Sequence, residues 1–151
     1  KLSVNIPKGV STGTQLRMTG EGEGGYLGGG PGDLYVEIYV RPHKKFQRQD
    51  EHLVAPLEIS YLQALLGAQI EVETLSGKAE TEIPKGAQDG DLIKLAGQGL
   101  PSLRSARSGD LIFQVQVKFP KKLDKKEEEL LRQIAEIKGE SVKKGKTGLF
   151  K

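Results

Sequence analysis

Two stretches of the chain alternate between apolar and polar residues, as β-strands with one buried face do. They read GDLYVEIYV from Gly32 and GDLIFQVQV from Gly109. Related patterns predict further strands in KLSVNI, TQLRMT, LVAPLEIS, QIEVETL, KAETEI and DLIKLA. A strand with one apolar face has to pack on a second layer. The pattern therefore predicts an all-β protein, built as a sandwich or a partly open barrel.

The sequence repeats itself at a spacing of 77 residues. IPKG occurs at positions 6–9 and 83–86, and GDL at positions 32–34 and 109–111, with the intervening glycines also aligned. A register without gaps that aligns positions 6–34 with 83–111 indicates an internal duplication. We therefore predict two tandem duplicated β-sandwich units, at 1–45 and 46–120, followed by a C-terminal region at 121–151. The first unit is expected to be truncated at its N-terminus, because 25 residues that precede the second IPKG have no counterpart before the first.

Two helices are predicted from their boundary residues. YLQALL is a short helix of the second unit, with Ser60 as its N-cap and Gly67 as its stop. KKEEELLRQIAEIKG is a longer amphipathic helix, in which Asp124 and Glu127 form a capping box and Gly139 ends the helix.

The longer helix carries one apolar stripe, and the chain ends close to a hydrophobic pair. The stripe can pack on the protein's own sandwich or can form an interface with a partner, and the pattern leaves both interpretations open. A hydrophobic pair beyond a basic linker is more useful when it is docked on another surface. The residues concerned are Leu130, Leu131, Ile134 and Ile137 in the stripe, and Leu149 and Phe150 in the pair.

Composition narrows the class of protein. A hydrophobic share of 36% with 20 glycines is typical of a turn-rich β protein. The absence of cysteine excludes disulfides, thiolate zinc sites and cysteine nucleophiles in this sequence. There is no signal peptide and no apolar run of about 20 residues, so we expect a cytoplasmic protein without a membrane partner. The net charge of +3 comes from the region after Lys118, which is thin support for binding nucleic acid, and none is expected.

The candidate chemical motifs lack the context that their chemistry needs. GEGEGG at positions 20–25 fits a dinucleotide-binding pattern, but it leads through a glycine-rich loop into a strand instead of a helix. His43 and His52 lie in a polar linker without other ligands at metal-binding spacing. No serine or carboxylate has a recognisable nucleophile or acid–base setting. We therefore expect no enzymatic activity, no catalytic residue, no cofactor and no metal ion in this sequence.

The first predicted strand offers a candidate binding edge. Leu2, Val4 and Ile6 share one face of KLSVNI. An open strand edge beside an apolar groove accepts extended peptides by β-augmentation. An ordinary core is the simpler interpretation of the same three residues from the pattern alone, and the binding edge is the alternative.

Several motifs together resemble a known family. LSVNIPKGVSTGTQLRMTGEGEGG, GDLYVEIYVRPHKKFQR and LEISYLQALLGAQIEVETLSGK, followed by IPKGAQDGDLIKLAGQGLP and GDLIFQVQVKFPKKL, resemble in order and spacing the C-terminal region of DnaJ-type J-domain co-chaperones. The resemblance covers positions 2–123 and is stronger to the zinc-finger-containing class. The sequence has no J domain and no cysteine motifs of a zinc module, and QDEH replaces the family's acidic turn after Phe-x-Arg.

The resemblance implies a molecular co-chaperone that binds non-native polypeptides, delivers them to a DnaK-type chaperone and forms a homodimer. Its implied peptide groove would include Leu2, Val4 and Phe46. The zinc of a full-length relative would lie in the module that this sequence lacks. The alternative is a non-catalytic β-sandwich scaffold that binds one folded protein partner. The residues implied in dimerisation are Leu130, Leu131, Ile134, Ile137, Leu149 and Phe150.

Overall fold

The computed structural model describes residues 1–144, which contain eight strands and two α-helices. The chain divides into two compact units, Lys1–Lys118 and Phe119–Lys151. The three predicted regions, 1–45, 46–120 and 121–151, stay predictions. In chain order the elements are β1 (Gln15–Met18), β2 (Leu34–Glu37), β3 (Gln47–Gln49), β4 (His52–Ser60), α1 (Tyr61–Leu66), β5 (Ala68–Thr74), β6 (Gly77–Ile83), β7 (Leu92–Leu95), β8 (Leu111–Lys118) and α2 (Lys125–Lys138).

The larger of these two compact units, Lys1–Lys118, is built from three sheets. A four-stranded sheet has the order β3-β4-β8-β7, and β1-β2 and β5-β6 form two-stranded sheets. The central strands β4 and β8 run parallel from Leu53 opposite Leu111 to Ser60 opposite Lys118, and the other pairs are antiparallel. Alternate side chains of β4 and β8 point into one core together with side chains of β5 and β6. The predicted all-β fold is confirmed. The buried residues contributed by these four strands are Leu53, Ala55, Leu57, Ile59, Val72, Ile83, Leu111, Phe113 and Val115.

The 77-residue duplication is visible in the strand pairing. β1 pairs with β2 as β7 pairs with the start of β8, because Gln15 lies opposite Glu37 and Leu92 lies opposite Gln114. Each residue of the second pair is 77 positions after its equivalent. Equivalent hydrogen bonds also fix the strand ends. The N–H of Val40 donates to the hydroxyl of Thr12 at 2.9 Å, and in the second repeat the N–H of Val117 donates to Oδ1 of Asp89 at 2.7 Å.

The glycine loop that joins the two strands of each pair is held by an aspartate. The N–H of Gly20 donates to Oδ1 of Asp33 at 3.1 Å, and the N–H of Gly97 donates to Oδ1 of Asp110 at 2.9 Å. GEGEGG is thus the first-repeat form of a loop that the second repeat also contains. Gly22 serves close backbone packing, since a Cβ there would lie 2.7 Å from the Asp33 carbonyl oxygen.

The hydrogen bond that Asp110 accepts predicts that the free energy of unfolding depends on pH. The Gly97 N–H bond holds the pKa of the Asp110 carboxyl below its ordinary 3.8, against the effect of burial and with help from Lys94. Because the folded-state pKa is the lower one, the carboxylate stabilises the fold above about pH 4, and this contribution is lost as the pH falls through the folded-state value. Asp110→Asn should therefore be less stable than wild type at pH 7, by an amount that shrinks towards about pH 2. Urea unfolding across this range checks it, and a constant difference would contradict it.

The structure corrects one predicted strand and adds another. KLSVNI is not a strand, since residues 1–6 have no regular secondary structure. The equivalent residues of the second repeat form β6, whose ladder partner is β5, and this sequence has no first-repeat copy of β5 to pair with. β3 was missed because its three polar residues carry no alternation. It pairs with β4 through a tight turn, in which Asp50 has a φ of +54°.

Both predicted helices are confirmed, together with their caps. In α1 the Ser60 hydroxyl accepts from the N–H of Gln63, and the Gln63 side chain accepts in return from Ser60. In α2, Asp124 and Glu127 make the same reciprocal pair at 2.8 and 2.9 Å, and Gly139 ends the helix with a φ of +67°. Neither helix is long and apolar enough to span a membrane, as far as the described residues go.

Candidate functional site

Phe46 is buried by the turn that its own motif forms. Nδ1 of His43 accepts the N–H groups of Lys45 at 3.1 Å and Phe46 at 3.2 Å. The two aromatic rings lie 5.0 Å apart between centroids. Phe46 is only 6% exposed and belongs to the same core as Leu53. PHKKF is therefore a compact turn that inserts its phenylalanine beneath β4.

The other two residues of the predicted groove lie in the N-terminal segment. Leu2 is 42% exposed, and Val4 is half-buried. An exposed leucine is available to a ligand, whereas Phe46 could contribute only through the small part of its ring that remains accessible. The groove formed by Leu2, Val4 and Phe46 stays a prediction.

The first IPKG turn is fastened to the second repeat by Arg48. This guanidinium donates to the carbonyl oxygens of Gly9 at 2.8 Å and Val10 at 2.6 Å, and to the Ser11 hydroxyl at 2.9 Å. Gly9 also approaches the carbonyl of Pro101 so closely that a Cβ would collide with it. Sequence reasoning missed the role of Arg48, although its place at the end of PHKKFQR was a usable signal. Arg48 therefore joins the two repeats beside the Phe46 turn.

A cleft of about 740 Å³ opens where the two repeats meet. Residues of the first IPKG turn, of the end of the β2 segment and of the Phe46 turn form one side. The tip of the β5–β6 hairpin and the loop after β7 form the other. We call this the inter-repeat cleft; it is lined by Ser11, Thr12, Val40, Arg41, Pro42, His43, Phe46, Gln47, Arg48, Asp50, Leu53, Leu75 and Leu100.

The stripe predicted on α2 divides into two faces. Leu131 is half-buried and lines a small pocket with Leu123 and Val142, while the segment after the helix folds back so that Arg132 donates to the Lys143 carbonyl at 2.6 Å. The other three apolar residues form a separate face, at 51%, 49% and 86% exposure respectively. We call Leu130, Ile134 and Ile137 the exposed α2 face.

The comparisons with known proteins decide the family. Residues 1–120 match the family model described as "DnaJ C terminal domain". The chain belongs to this DnaJ C-terminal domain family. The match covers both repeats and ends before α2, which begins at Lys125.

Three relatives of this DnaJ C-terminal domain share one name. It is 58% identical over 142 residues to "Chaperone protein DnaJ" of Bdellovibrio bacteriovorus, covering 94% of this chain and 38% of that protein. Proteins of the same name from Nitratidesulfovibrio vulgaris and Maridesulfovibrio salexigens are 50% and 48% identical, covering 91% and 99% of the chain and 37% and 40% of those proteins. The chain thus spans about two-fifths of the length of the curated relatives it matches.

The residues predicted to form the dimer interface differ in how accessible they are in this DnaJ C-terminal domain. Leu130, Ile134 and Ile137 are accessible to a partner, and Leu131 faces its own unit. The predicted contribution of Leu149 and Phe150 concerns positions outside the described residues. Dimerisation itself stays a prediction.

Proposed function

We propose that the chain is the polypeptide-binding part of a molecular co-chaperone, which holds non-native proteins without a catalytic step. Membership of the DnaJ C-terminal domain family across both repeats is the observation that carries this proposal. Unfolded chains expose apolar side chains, and each Å² of such surface removed from water contributes about 25 cal/mol. The groove of Leu2, Val4 and Phe46 is the proposed contact, with the exposed Leu2 reaching the client first.

Self-association would strengthen a weak single-site interaction. We propose that two copies join through the exposed α2 face, which leaves Leu130, Ile134 and Ile137 in water in the single chain. Two tethered grooves raise the effective concentration of the second binding event, so that avidity can exceed the affinity of either groove by about 10² or more. A promiscuous holder of unfolded chains benefits because each individual contact can stay weak and reversible.

The names of the relatives extend the proposal to the whole protein. Because they are called "Chaperone protein DnaJ", we propose that the bound client is passed to a DnaK-type ATPase in the cytoplasm. That transfer would involve segments that this sequence does not contain. The chain by itself should therefore bind clients without stimulating ATP hydrolysis, and without a cofactor, nucleic acid or membrane.

The test is suppression of aggregation for two unrelated chemically unfolded proteins, followed by light scattering. Wild type should suppress both. Leu2→Ser should raise the concentration needed by several-fold, because an exposed apolar contact contributes about 1 kcal/mol or more. In a second variant Phe46 is replaced by leucine. Serine is avoided at this buried position because it would cost about 3–5 kcal/mol of stability.

A matched variant separates site loss from a general loss of surface hydrophobicity. Leu65→Ser removes a leucine of α1 that is also exposed, away from the proposed groove, and should leave suppression unchanged. If Leu2→Ser and Leu65→Ser behave alike, the groove assignment is wrong. If wild type suppresses neither protein, the co-chaperone proposal fails, and a scaffold that binds one folded partner becomes the better interpretation.

A further inference from the structure

The inter-repeat cleft has an apolar floor that water reaches. Val40 and Leu75 keep 42% and 49% of their surface exposed, and Leu53 and Leu100 continue the floor towards the core. The tip of the β5–β6 hairpin supplies Leu75, whereas Val40 follows β2, so the two repeats each contribute one exposed side chain. Such a floor gains free energy when an apolar side chain of a ligand covers it.

The rim of the cleft is positively charged. The segment RPHKKFQR, from Arg41 to Arg48, contains four cations and no carboxylate, and Lys45 among them forms an ion pair with Glu73 outside the cleft lining. Arg41 and Arg48 line the cleft, and within residues 1–144 Asp50 is the one acidic residue that lines it. Arg48 donates to neutral oxygens of Gly9, Val10 and Ser11, so these contacts leave its charge without a balancing carboxylate.

His43 adds an oriented hydrogen-bond donor to the same rim. Because its Nδ1 accepts two backbone N–H groups, the ring proton of the neutral side chain lies on Nε2. The contacts with Lys45 and Phe46 fix the ring, and the exposed side chain lines the cleft. A ligand oxygen in the cleft would therefore find an Nε2–H donor, and Arg41 lines the same cleft.

We propose that the inter-repeat cleft binds an extended peptide segment in which acidic residues flank an apolar side chain. The apolar side chain would cover Val40 and Leu75, and a carboxylate would accept from Arg41 and His43. The inference rests on the proposed function in taking the occupant to be a polypeptide. It adds a charge preference in a cleft that shares Phe46 with the proposed groove but is not lined by Leu2. The chain's own C-terminal tail, KKGKTGLFK, has the wrong charge for this rim.

The probes are three fluorescein-labelled nonapeptides that share one backbone length. The first has a central Leu-Val flanked by glutamates, the second has lysines in place of the glutamates, and the third has Ser-Ser in place of Leu-Val. Fluorescence anisotropy with the 151-residue chain should show that the first peptide binds about tenfold more tightly than either of the others. Equal affinity for the glutamate and lysine peptides would overturn the proposal.

Two variants test the assigned contacts without touching the core. Leu75→Ser should weaken the glutamate peptide by about five- to tenfold. Arg41→Glu should weaken it by at least about threefold and should improve the binding of the lysine peptide. Leu65→Ser removes an exposed leucine elsewhere and should change neither affinity. Unchanged binding in both cleft variants would overturn the assignment to this cleft.

The outcomes separate this inference from the proposed function. Suppression of aggregation by wild type without discrimination among the peptides would overturn the cleft and leave the co-chaperone proposal intact. Selective peptide binding that Leu75→Ser abolishes, without suppression of either unfolded protein, would support the cleft and overturn the co-chaperone proposal. Selective binding that Leu2→Ser reduces and Leu75→Ser does not would move the site to the predicted groove and overturn the cleft.

Discussion

Replacing Leu130, Ile134 and Ile137 together with alanine is expected to convert a dimer into a monomer. Alanine keeps the helix, because it has the highest intrinsic helix propensity, and removes only the exposed α2 face. Burying one leucine or isoleucine side chain contributes about 1.5–3 kcal/mol, and a two-fold interface uses every residue twice. The dissociation constant should therefore rise by at least about a thousandfold. Sedimentation velocity over a concentration series measures it.

The two faces of α2 provide the control. Leu131→Ala alters the side chain that packs near Leu123 and Val142 within its own unit, and it should leave the association state unchanged. Deleting residues 124–151 should give the same monomer as the triple alanine variant. A dimer that persists in the triple variant would contradict a role for this face, and one lost with Leu131→Ala alone would assign association to the opposite face.

Much of the fold can be predicted from the sequence because the patterns that determine it are local. Alternation along DLYVE and DLIFQVQV fixed two strands, and residues at the helix ends fixed α1 and α2 within a residue. The duplication went further, since equivalent hydrogen bonds at Gly20 and Gly97 follow the 77-residue register. A repeated pattern of glycine and aspartate specifies the same loop twice, because both copies need the same backbone shape and the same acceptor.

The features of the fold that the sequence pattern did not predict depend on contacts between residues that are distant in sequence. Residues 1–6 alternate as well as any strand, but a strand needs a neighbour to receive its backbone hydrogen bonds. The parallel pairing of β4 with β8 joins residues 58 positions apart, which alternation cannot indicate. Phe46 illustrates the same limit at the site. Its motif predicts a place in the groove, while its burial with Leu53 in the core is a tertiary contact that the motif does not indicate.

A large single-residue effect on stability is expected at the first IPKG turn. Gly9 and Gly86 occupy equivalent positions with φ of +87° and +83°, a backbone conformation that costs an alanine about 1–2 kcal/mol. Gly86→Ala should lose about that much, because nothing lies within 4 Å of its new Cβ. Gly9→Ala should lose about 2–4 kcal/mol more, since its Cβ would collide with the Pro101 carbonyl and force the repeats apart. Urea unfolding of both variants, followed by circular dichroism, measures the difference.

The comparison of the two glycines tests whether the duplicated turn has acquired a second role. If both copies only reverse the chain, both substitutions should cost the same, because the local conformation is the same. A larger cost at Gly9 would mean that the first turn also holds the repeats together, with Arg48 donating to the Gly9 carbonyl from the other side. Equal losses would contradict this second role of the first turn. If the loss is larger at Gly9, the two IPKG segments are copies of one inherited turn, and the first copy also contacts the other repeat.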